Sequence, residues 1–402
     1  MTSMLPIIQE RRTKTSIFVV LKVTQACNMG CRYCSAEKDV AKVPLLTGAM
    51  GKAVIDALID LGLPSYSVCF HGGEPLLGFK AIRETVEYAQ GLPAPVDFRF
   101  SIQSNLSLMT DAIAAWCHDR HVSVGFSLDG EPTTNEVFRV FHDGRGTTHA
   151  TLNGLATLQR YQRRVGCVAV IGGHNFDKTA GFFHFLLEHG VDRVSLNRMA
   201  PVGKGIDVCR HESITDEQYV TCLTDCYLMM VESKYRIQVK PITDWARKII
   251  HPASQSHGCY ECGAGWSHIS VDPVGNVYAC DRFTFDPHWI SGNLRHAPLL
   301  EIFNESKMTS CRTRTERIPE CTRCPVRYVC GGSCAVTSYY AKGTIDLPGH
   351  ECGNMRQFIP WLDRRLAEHP IERLAMEAAI LGADPQDVYP QLVEAVAAGA
   401  LG

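Results

Sequence analysis

Cysteine is the residue that most constrains this chain, because thiolates are strong metal ligands and the fold must bring them together at defined spacings. The chain has 402 residues, of which 18 are cysteine. Its first residues, MTSMLPIIQERRTKTS, lack the continuous apolar core of a signal peptide. Without an export signal, this many cysteines are typical of a reducing compartment, where metal ligation is favoured over disulfides. We therefore predict a cytoplasmic metalloprotein.

Charge excludes several classes of partner. The chain has 40 Lys and Arg against 42 Asp and Glu, which gives a formal net charge of -2. This balance gives no electrostatic basis for binding nucleic acid or an anionic membrane surface. No apolar stretch is long enough to span a bilayer. We expect neither nucleic acid nor a membrane to be a partner.

The first half of the chain alternates short apolar or β-branched runs with longer helix-like runs. The predicted strands cover residues 16–23, 66–70, 97–103, 122–128, 165–171 and 192–197. Repeated alternation of strand and helix predicts an α/β fold with a parallel sheet and right-handed crossovers. Six units favour a (β/α)6 partial TIM barrel over a closed eight-stranded one, with the active face at the carboxyl ends of the strands.

The alternation ends near Pro201, and the composition then changes twice. Helices are predicted over 215–236 and 244–250, followed by a Gly-, Pro- and Cys-rich region with one hairpin, HISVDPVGNVYACDRF. The remaining residues have a helical pattern. We predict an N-terminal extension (1–15), the partial barrel (16–205), a helical bridge (206–257), a small Cys-rich domain (258–355) and a helical C-terminal tail (356–402).

The first cysteine motif follows the first predicted strand directly. Cys27, Cys31 and Cys34 form CNMGCRYC, so three thiolates lie on one strand-to-helix loop. A structural zinc site normally has four protein ligands, whereas a 4Fe-4S cluster held by three cysteines offers its fourth iron to an exogenous ligand. From spacing alone, a zinc knuckle with a distant fourth ligand remains the alternative.

CxxxCxxC after the first strand of a six-unit partial barrel resembles the radical S-adenosylmethionine (SAM) enzymes. The resemblance extends to FHGGEP, which matches the family's GGEP motif around the methionine amino group of SAM, at Gly72, Gly73 and Glu74. It also implies SAM contacts by Tyr33, near the adenine, and by Ser127 and Arg139, at the methionine carboxylate. The implied first cofactors are a 4Fe-4S cluster and SAM.

The second cysteine group resembles the SPASM extension found on a subset of these enzymes. That pattern has seven cysteines, and Cys259 adds an eighth. The resemblance implies a nearer auxiliary 4Fe-4S cluster held by Cys259, Cys262, Cys280 and Cys334, and a farther one held by Cys321, Cys324, Cys330 and Cys352. If Cys259 is not a ligand, the nearer cluster has an open iron where substrate could bind. The implied total is three 4Fe-4S clusters. A pair of zinc ribbons is the alternative reading of the same CxxC spacings.

The resemblance implies an oxidoreductase that abstracts a hydrogen from a peptide side chain through a 5'-deoxyadenosyl radical and oxidises it by two electrons. The expected role is maturation of a ribosomally synthesised peptide, with an external one-electron reductant of flavodoxin or ferredoxin type. A separate peptide-recognition protein is a further candidate partner. A two-electron oxidation also releases a proton, and Asp281, next to Cys280, is the candidate base.

Two alternative functions are retained. Anaerobic sulfatase maturases, which convert Ser or Cys to formylglycine, resemble this chain in SIQSN and CDRF, but His71 stands where those enzymes usually have Gln, and Ser104 where they usually have Thr. The other alternative is a non-catalytic iron-sulfur or zinc-ribbon protein.

Overall fold

A single ten-stranded sheet organises the protein. The computed structural model describes residues 16–34, 43–93, 96–202, 206–252 and 262–383, together with 390 and 394. The strands lie in the order β10-β9-β8-β1-β2-β3-β4-β5-β6-β7. They are β1 Ser16–Thr24, β2 Ser65–Gly72, β3 Asp97–Ser104, β4 Val122–Ser127, β5 Gly166–Ile171, β6 Arg193–Arg198, β7 Gln238–Lys240, β8 His268–Val271, β9 Asn276–Tyr278 and β10 Gly292–Asn293.

Strands β1 to β6 confirm the predicted parallel partial barrel. Each predicted strand is present and differs by only one or two residues at its ends, and neighbouring strands pair in parallel. The strand residues that enter the core alternate, as in Val19, Leu21 and Val23 of β1. Their partners on the opposite face, including Lys22, line the lumen of the barrel.

Six helices cover the outer face of the barrel. They are α1 Gly48–Ile59, α2 Phe79–Gln90, α3 Asp111–Asp119, α4 Pro132–Asn135, α5 Thr148–Gln159 and α6 Thr179–Glu188. Two of them begin at threonines whose hydroxyls accept a backbone N–H of the first turn, Thr47 from Met50 and Thr110 from Ile113. The apolar faces of these helices bury the outer face of the sheet and leave the strand ends open.

The bridge after β6 adds a seventh parallel strand. Its helices are α7 Ile206–His211, α8 Asp216–Glu232 and α9 Ile242–Ile250, and α8 begins with a capping box formed by Thr215 and Gln218. β7 lies between α8 and α9 and pairs in parallel with β6. The sequence analysis did not predict β7, because a three-residue strand is too short to show an alternating pattern.

The Cys-rich region continues the same sheet at its other edge. The predicted hairpin is present as β8 and β9, which pair antiparallel, and β8 also pairs in parallel with β1. Helices follow at α10 Leu299–Ile302, α11 Ser306–Arg317, α12 Pro319–Thr322, α13 Arg327–Cys330, α14 Ala335–Lys342, α15 Cys352–Glu368 and α16 Pro370–Leu381, with short 3-10 turns at Pro75–Gly78, Asp281–Phe283 and Pro287–Trp289. The hairpin therefore joins the cysteine loops to the barrel.

Within the described ranges, no helix combines the length and the apolar character that crossing a bilayer would require.

Candidate active site

Three thiols lie on the loop that follows β1. This loop is attached to the segment after β4 by two backbone hydrogen bonds, from the Gly30 N–H to the Val140 carbonyl (2.8 Å) and from the Arg32 N–H to the Phe138 carbonyl (3.0 Å). Cys27 is buried, Cys31 is half-buried and Cys34 is exposed. The loop therefore presents a row of thiols from the barrel mouth to the surface.

The electrostatics of these thiols show that they are neighbours. Burial raises the pKa of the Cys27 thiol, and the negative charges of Glu74, Cys31 and Cys34 raise it further. Thiols in such a group are protonated unless a cation compensates their charge. A bound metal removes this penalty because its ligands are thiolates.

The glycines of GGEP allow the ends of β1 and β2 to approach each other. The Gly73 N–H donates to the Thr24 carbonyl, and the Glu74 N–H donates to the Ala26 carbonyl, both at 2.8 Å. A Cβ on Gly73 would lie 1.9 Å from the Ala26 carbonyl oxygen. Only glycine fits this crossing, which fixes the path of the chain into Cys27.

Glu74 connects the ends of β2 and β3. Its buried carboxylate accepts hydrogen bonds from the Leu76 N–H (2.9 Å), the Ser104 hydroxyl (2.8 Å) and the Asn105 N–H (2.8 Å). Burial raises the pKa of Glu74, and these hydrogen bonds act against that rise. Ser104 supplies a hydroxyl at this point, so its replacement of the family's Thr keeps the donor. The expected contact of Glu74 with SAM stays a prediction.

Tyr33 and Arg139 are brought together with an aspartate that the sequence analysis missed. The Tyr33 hydroxyl donates to Asp129 Oδ2 at 2.5 Å, and Arg139 Nη1 donates to the Tyr33 hydroxyl at 3.0 Å. Arg139 is only 8% exposed, and its Nε–H has no partner among the described residues. An unpaired buried guanidinium N–H fits a ligand carboxylate.

Ser127 lies near this group, and the same sequence segment contains Asp129. Ser127 ends β4, and its hydroxyl accepts a hydrogen bond from Gln103 Nε2 at 3.1 Å. Asp129, two residues later in SLDG, is 1% exposed, and its Oδ1 also accepts from the Val170 N–H at 2.9 Å. A buried acid directly after a barrel strand was the available signal for Asp129.

The later thiols lie in two neighbourhoods, and their assignment as cluster ligands stays a prediction; Cys311, outside both expected ligand sets, also interacts with Cys262 and Cys334. Burial raises the pKa of Cys280 well above its ordinary value, and Asp281, Cys262 and Cys334 raise it further. In the other group, burial raises the pKa of Cys321, Cys330 and Cys352, and neighbouring thiols of the same group raise it further. Cys324 is one of the neighbours that act on Cys321 and Cys352. Cys259, the eighth expected ligand, lies outside the described residues.

The donor sets of the two later thiol groups are all cysteine. Such a donor set suits an iron-sulfur cluster and a zinc ion alike.

Asp281 lies at the junction of β1, β2 and β8, between basic side chains. Its Oδ2 is 3.8 Å from Lys22 Nζ, and its Oδ1 is 3.3 Å from His268 Nε2. Burial alone raises the pKa of Asp281, but His268 and Lys22 lower it by more, so that the pKa falls well below its ordinary value. The result is a half-buried, ionised carboxylate held at the barrel mouth beside Cys280.

Lys22 and His71 complete this junction. Lys22 is 2% exposed, and its Nζ lies 3.4 Å from His71 Nδ1. The Gly72 N–H donates to the same His71 Nδ1 at 2.7 Å, so the ring is neutral with its proton on Nε2. Lys22 and His268 were not predicted as site residues, because a single basic residue within a strand carries no motif.

Family models identify both halves of this architecture. The Radical SAM superfamily model matches residues 21–197, which include the first thiol loop, the GGEP crossing and Arg139. Residues 21–197 therefore form a radical SAM domain, as the sequence resemblance predicts. A second model, the SPASM iron-sulfur cluster-binding domain, matches residues 262–325 and identifies the Cys-rich region.

Known proteins share this arrangement over most of the chain. A serine-type anaerobic sulfatase-maturating enzyme of Klebsiella aerogenes is 24% identical over 345 residues, which cover 82% of each chain. The structure of native anSMEcpe with bound AdoMet and Cp18Cys peptide has a TM-score of 0.76 at 18% identity, covering 87% of this chain and 98% of that one. Streptococcus suis SuiB bound to precursor peptide SuiA has a TM-score of 0.64 at 15% identity, covering 86% and 78%. These likenesses confirm the fold.

Proposed function

We propose that this protein is a radical SAM peptide maturase that oxidises a side chain of a ribosomally synthesised peptide by two electrons. The proposal rests on one observation about the barrel mouth. Three features lie together at the carboxyl ends of the strands: the thiol loop, the unpaired Nε–H of Arg139 and the carboxylate of Asp281. Relatives and neighbours with maturase names or bound peptides support the substrate class.

The cofactors are assigned by donor set. Cys27, Cys31 and Cys34 would hold the first 4Fe-4S cluster, and the two later thiol groups, with Cys259, would hold the auxiliary clusters. When bound, the first cluster and SAM supply a 5'-deoxyadenosyl radical, and the auxiliary clusters accept an electron. Arg139 would receive the SAM carboxylate through its free Nε–H, and Asp129 orients both Tyr33 and, through it, Arg139.

The protein's own side chains are needed to remove a proton from the substrate. A net two-electron oxidation of a side chain removes one hydrogen atom, one electron and one proton. Asp281 is the proposed acceptor of this proton, because its carboxylate is ionised and lies at the barrel mouth, with Oδ1 3.5 Å from Cys280 Sγ. Lys22 and His268 hold Asp281 from two sides, which fixes its orientation toward the substrate.

The remaining partners follow from this chemistry. Cleavage of SAM consumes one electron, for which an external flavodoxin or ferredoxin is the expected donor. The electron that leaves the substrate passes through the auxiliary clusters to an external one-electron acceptor of the same kind. A separate protein for recognising the precursor peptide remains a candidate partner, and the cytoplasm is the proposed compartment. The partial exposure of the first thiol loop at Cys34 gives a reductant access to the first cluster.

A sulfatase-maturase activity is the second candidate. The 24% identity over 82% of both chains favours it. Against it, His71 replaces the usual Gln at the barrel mouth, next to Lys22. A neutral His accepts at Nδ1 and has one N–H, whereas Gln offers two, so the substrate site differs in its donors.

The test uses two variants of the anaerobically reconstituted protein with dithionite and SAM. Cys31→Ala should abolish 5'-deoxyadenosine release, because it removes a ligand of the first cluster. Asp281→Asn should release 5'-deoxyadenosine without forming product. Cys117→Ala, at a buried cysteine of α3 outside both ligand groups, is the matched control and should keep both activities. Full turnover by the Asn variant would remove Asp281 from the mechanism.

The same preparation separates the functional classes. The proposal expects roughly twelve irons per chain, four for each cluster. A sulfatase peptide that loses mass as expected for formylglycine would favour the second candidate, whereas modification of a precursor peptide alone would exclude it. Tightly bound zinc without SAM cleavage would indicate a zinc-ribbon protein instead.

A further inference from the structure

The turn between two ligand cysteines has an unusual backbone. Gly331, Gly332 and Ser333 occupy the three positions between Cys330 and Cys334, and their φ angles are 67°, 88° and 63°. Ser333 is not glycine, and a positive φ is unfavourable for it. Contacts with neighbouring elements must therefore stabilise this conformation. In a stretch of one helical sense, the N–H groups point one way and the carbonyls point the other.

Helix α11 holds the carbonyl side of this turn. Arg314 Nη1 donates to the Gly332 carbonyl (2.7 Å) and to the Ser333 carbonyl (3.0 Å), and the Thr315 hydroxyl donates to the Gly331 carbonyl (3.2 Å). The Gly331 N–H donates to the Arg327 carbonyl (2.8 Å). With all three carbonyls engaged by α11, the Gly332 and Ser333 N–H groups face the other side of the turn, where they interact with the Cys330 thiol.

Arg314 also holds the loop that leads to Cys352. Its Nε donates to the Ile345 carbonyl (2.5 Å) and its Nη2 to the Leu347 carbonyl (2.7 Å). The side chain is 1% exposed, and no carboxylate in the described ranges lies within ion-pair distance of its guanidinium. A buried charge of this kind needs a counter-charge, and carbonyl dipoles supply it only in part. The nearby thiolates can provide the rest.

We infer that Arg314 is a positioning residue for the farther auxiliary cluster: it holds the Gly331–Ser333 turn so that the Gly332 and Ser333 N–H groups face Cys330, and its charge offsets that of the cluster. This inference rests on the proposed function, because it assumes the ligand set Cys321, Cys324, Cys330 and Cys352. Hydrogen bonds to sulfur and nearby positive charge both raise the reduction potential of an iron-sulfur cluster. The arrangement therefore makes the farther cluster a better electron acceptor.

The test measures the midpoint potentials of the auxiliary clusters by redox titration followed by EPR. The background is the full chain with Cys27, Cys31 and Cys34 changed to Ala, so that only the auxiliary clusters contribute. Arg314→Met should lower the midpoint potential of one cluster by about a tenfold shift of its reduction equilibrium, which is ~59 mV for one electron. Arg317→Met, one turn away on α11, is the control and should leave both potentials unchanged, because Arg317 is exposed and paired with Asp346.

A milder variant covers the case in which Arg314→Met does not retain the farther cluster. Thr315→Val removes only the hydrogen bond to Gly331 and should lower the same potential by a smaller amount. If a variant keeps its full iron content and both midpoint potentials are unchanged, the role inferred for Arg314 is wrong, while the assignment of the auxiliary clusters still stands. Fewer than about eight irons in the background protein would overturn the auxiliary-cluster assignment as well, and the iron count shows this before any titration.

Discussion

Three ionisable side chains meet inside the barrel, where little solvent is present to screen their charges: Lys22, His71 and Asp281. Lys22 is almost fully buried and contacts both of the others. Such a group is costly unless its members compensate one another. Here the lysine and the aspartate are charged, and the histidine is neutral because its Nδ1 accepts from the Gly72 N–H. The site therefore holds one fixed distribution of charge around the proposed base.

His71 predicts a pH dependence of stability. Burial and, after it, the charge of Lys22 together lower the pKa of His71 to about 4, although Asp281 acts in the opposite direction. In the unfolded chain this histidine binds a proton near pH 6.5, whereas in the folded chain it stays neutral until the pH approaches 4. Its contribution to the free energy of unfolding is therefore complete above pH 6.5 and is lost as the pH falls toward 4. Between pH 7 and 5 this loss is about 2 kcal/mol.

Denaturant unfolding under anaerobic conditions checks this. His71→Gln should flatten the dependence of the unfolding free energy on pH over that interval. His296→Gln, at an exposed histidine outside the site, should keep the slope of the unsubstituted protein. A slope that is equally steep in the His71 variant would assign the acid sensitivity to other groups.

At the scale of elements, alternation of side chains predicted the six barrel strands almost to the residue, since each buries one face under a helix. The same reasoning missed β7 and β10, with three and two residues, because strands this short are set by pairing with a neighbour. The cysteines were predictable from spacing, and GGEP from the family motif. Asp129 could have been predicted as an acid directly after a barrel strand, whereas Lys22 and His268 could not, because their roles arise only where separate strand ends meet.

The GGEP crossing gives a prediction for the junction of β1 and β2. Gly73→Ala would force a Cβ against the Ala26 carbonyl oxygen, and such overpacking costs about 1–3 kcal/mol. Because the displaced backbone leads into Cys27, the variant should also bind less iron at the first cluster. Thermal unfolding and iron content per chain measure both effects.

Gly166→Ala is the matched control for this substitution. Gly166 begins β5, and a Cβ there meets no atom within 4 Å. It should leave both the iron content and the unfolding midpoint close to those of the unsubstituted protein. Equal behaviour of the two variants would contradict the role given to the crossing.

At the scale of the whole molecule, the barrel and the Cys-rich region are joined on both edges of the sheet. On one edge β8 pairs with β1. Near the other, Arg198 at the end of β6 donates to Asp216 Oδ1 (2.5 Å) and to Asn354 Oδ1 (3.1 Å). Asn354 lies in the first turn of α15, two residues after Cys352. The helix that carries Cys352, a proposed ligand of the farther cluster, is thus attached directly to a barrel strand.

Arg198→Met should loosen this second connection. Arg198 is 7% exposed and Asn354 is fully buried, so the variant leaves a buried amide unpaired at a cost of about 1–3 kcal/mol. The loss should appear as a lower unfolding midpoint together with reduced iron at the farther cluster, because α15 carries Cys352. Arg210→Met is the control: Arg210 is 71% exposed and pairs only with Asp207 on its own helix, so its removal should change stability by less than about 0.5 kcal/mol. If Arg198→Met lowered stability but left the iron content complete, the contact would stabilise the fold without positioning the cluster, and β8 alone would fix the Cys-rich region to the barrel.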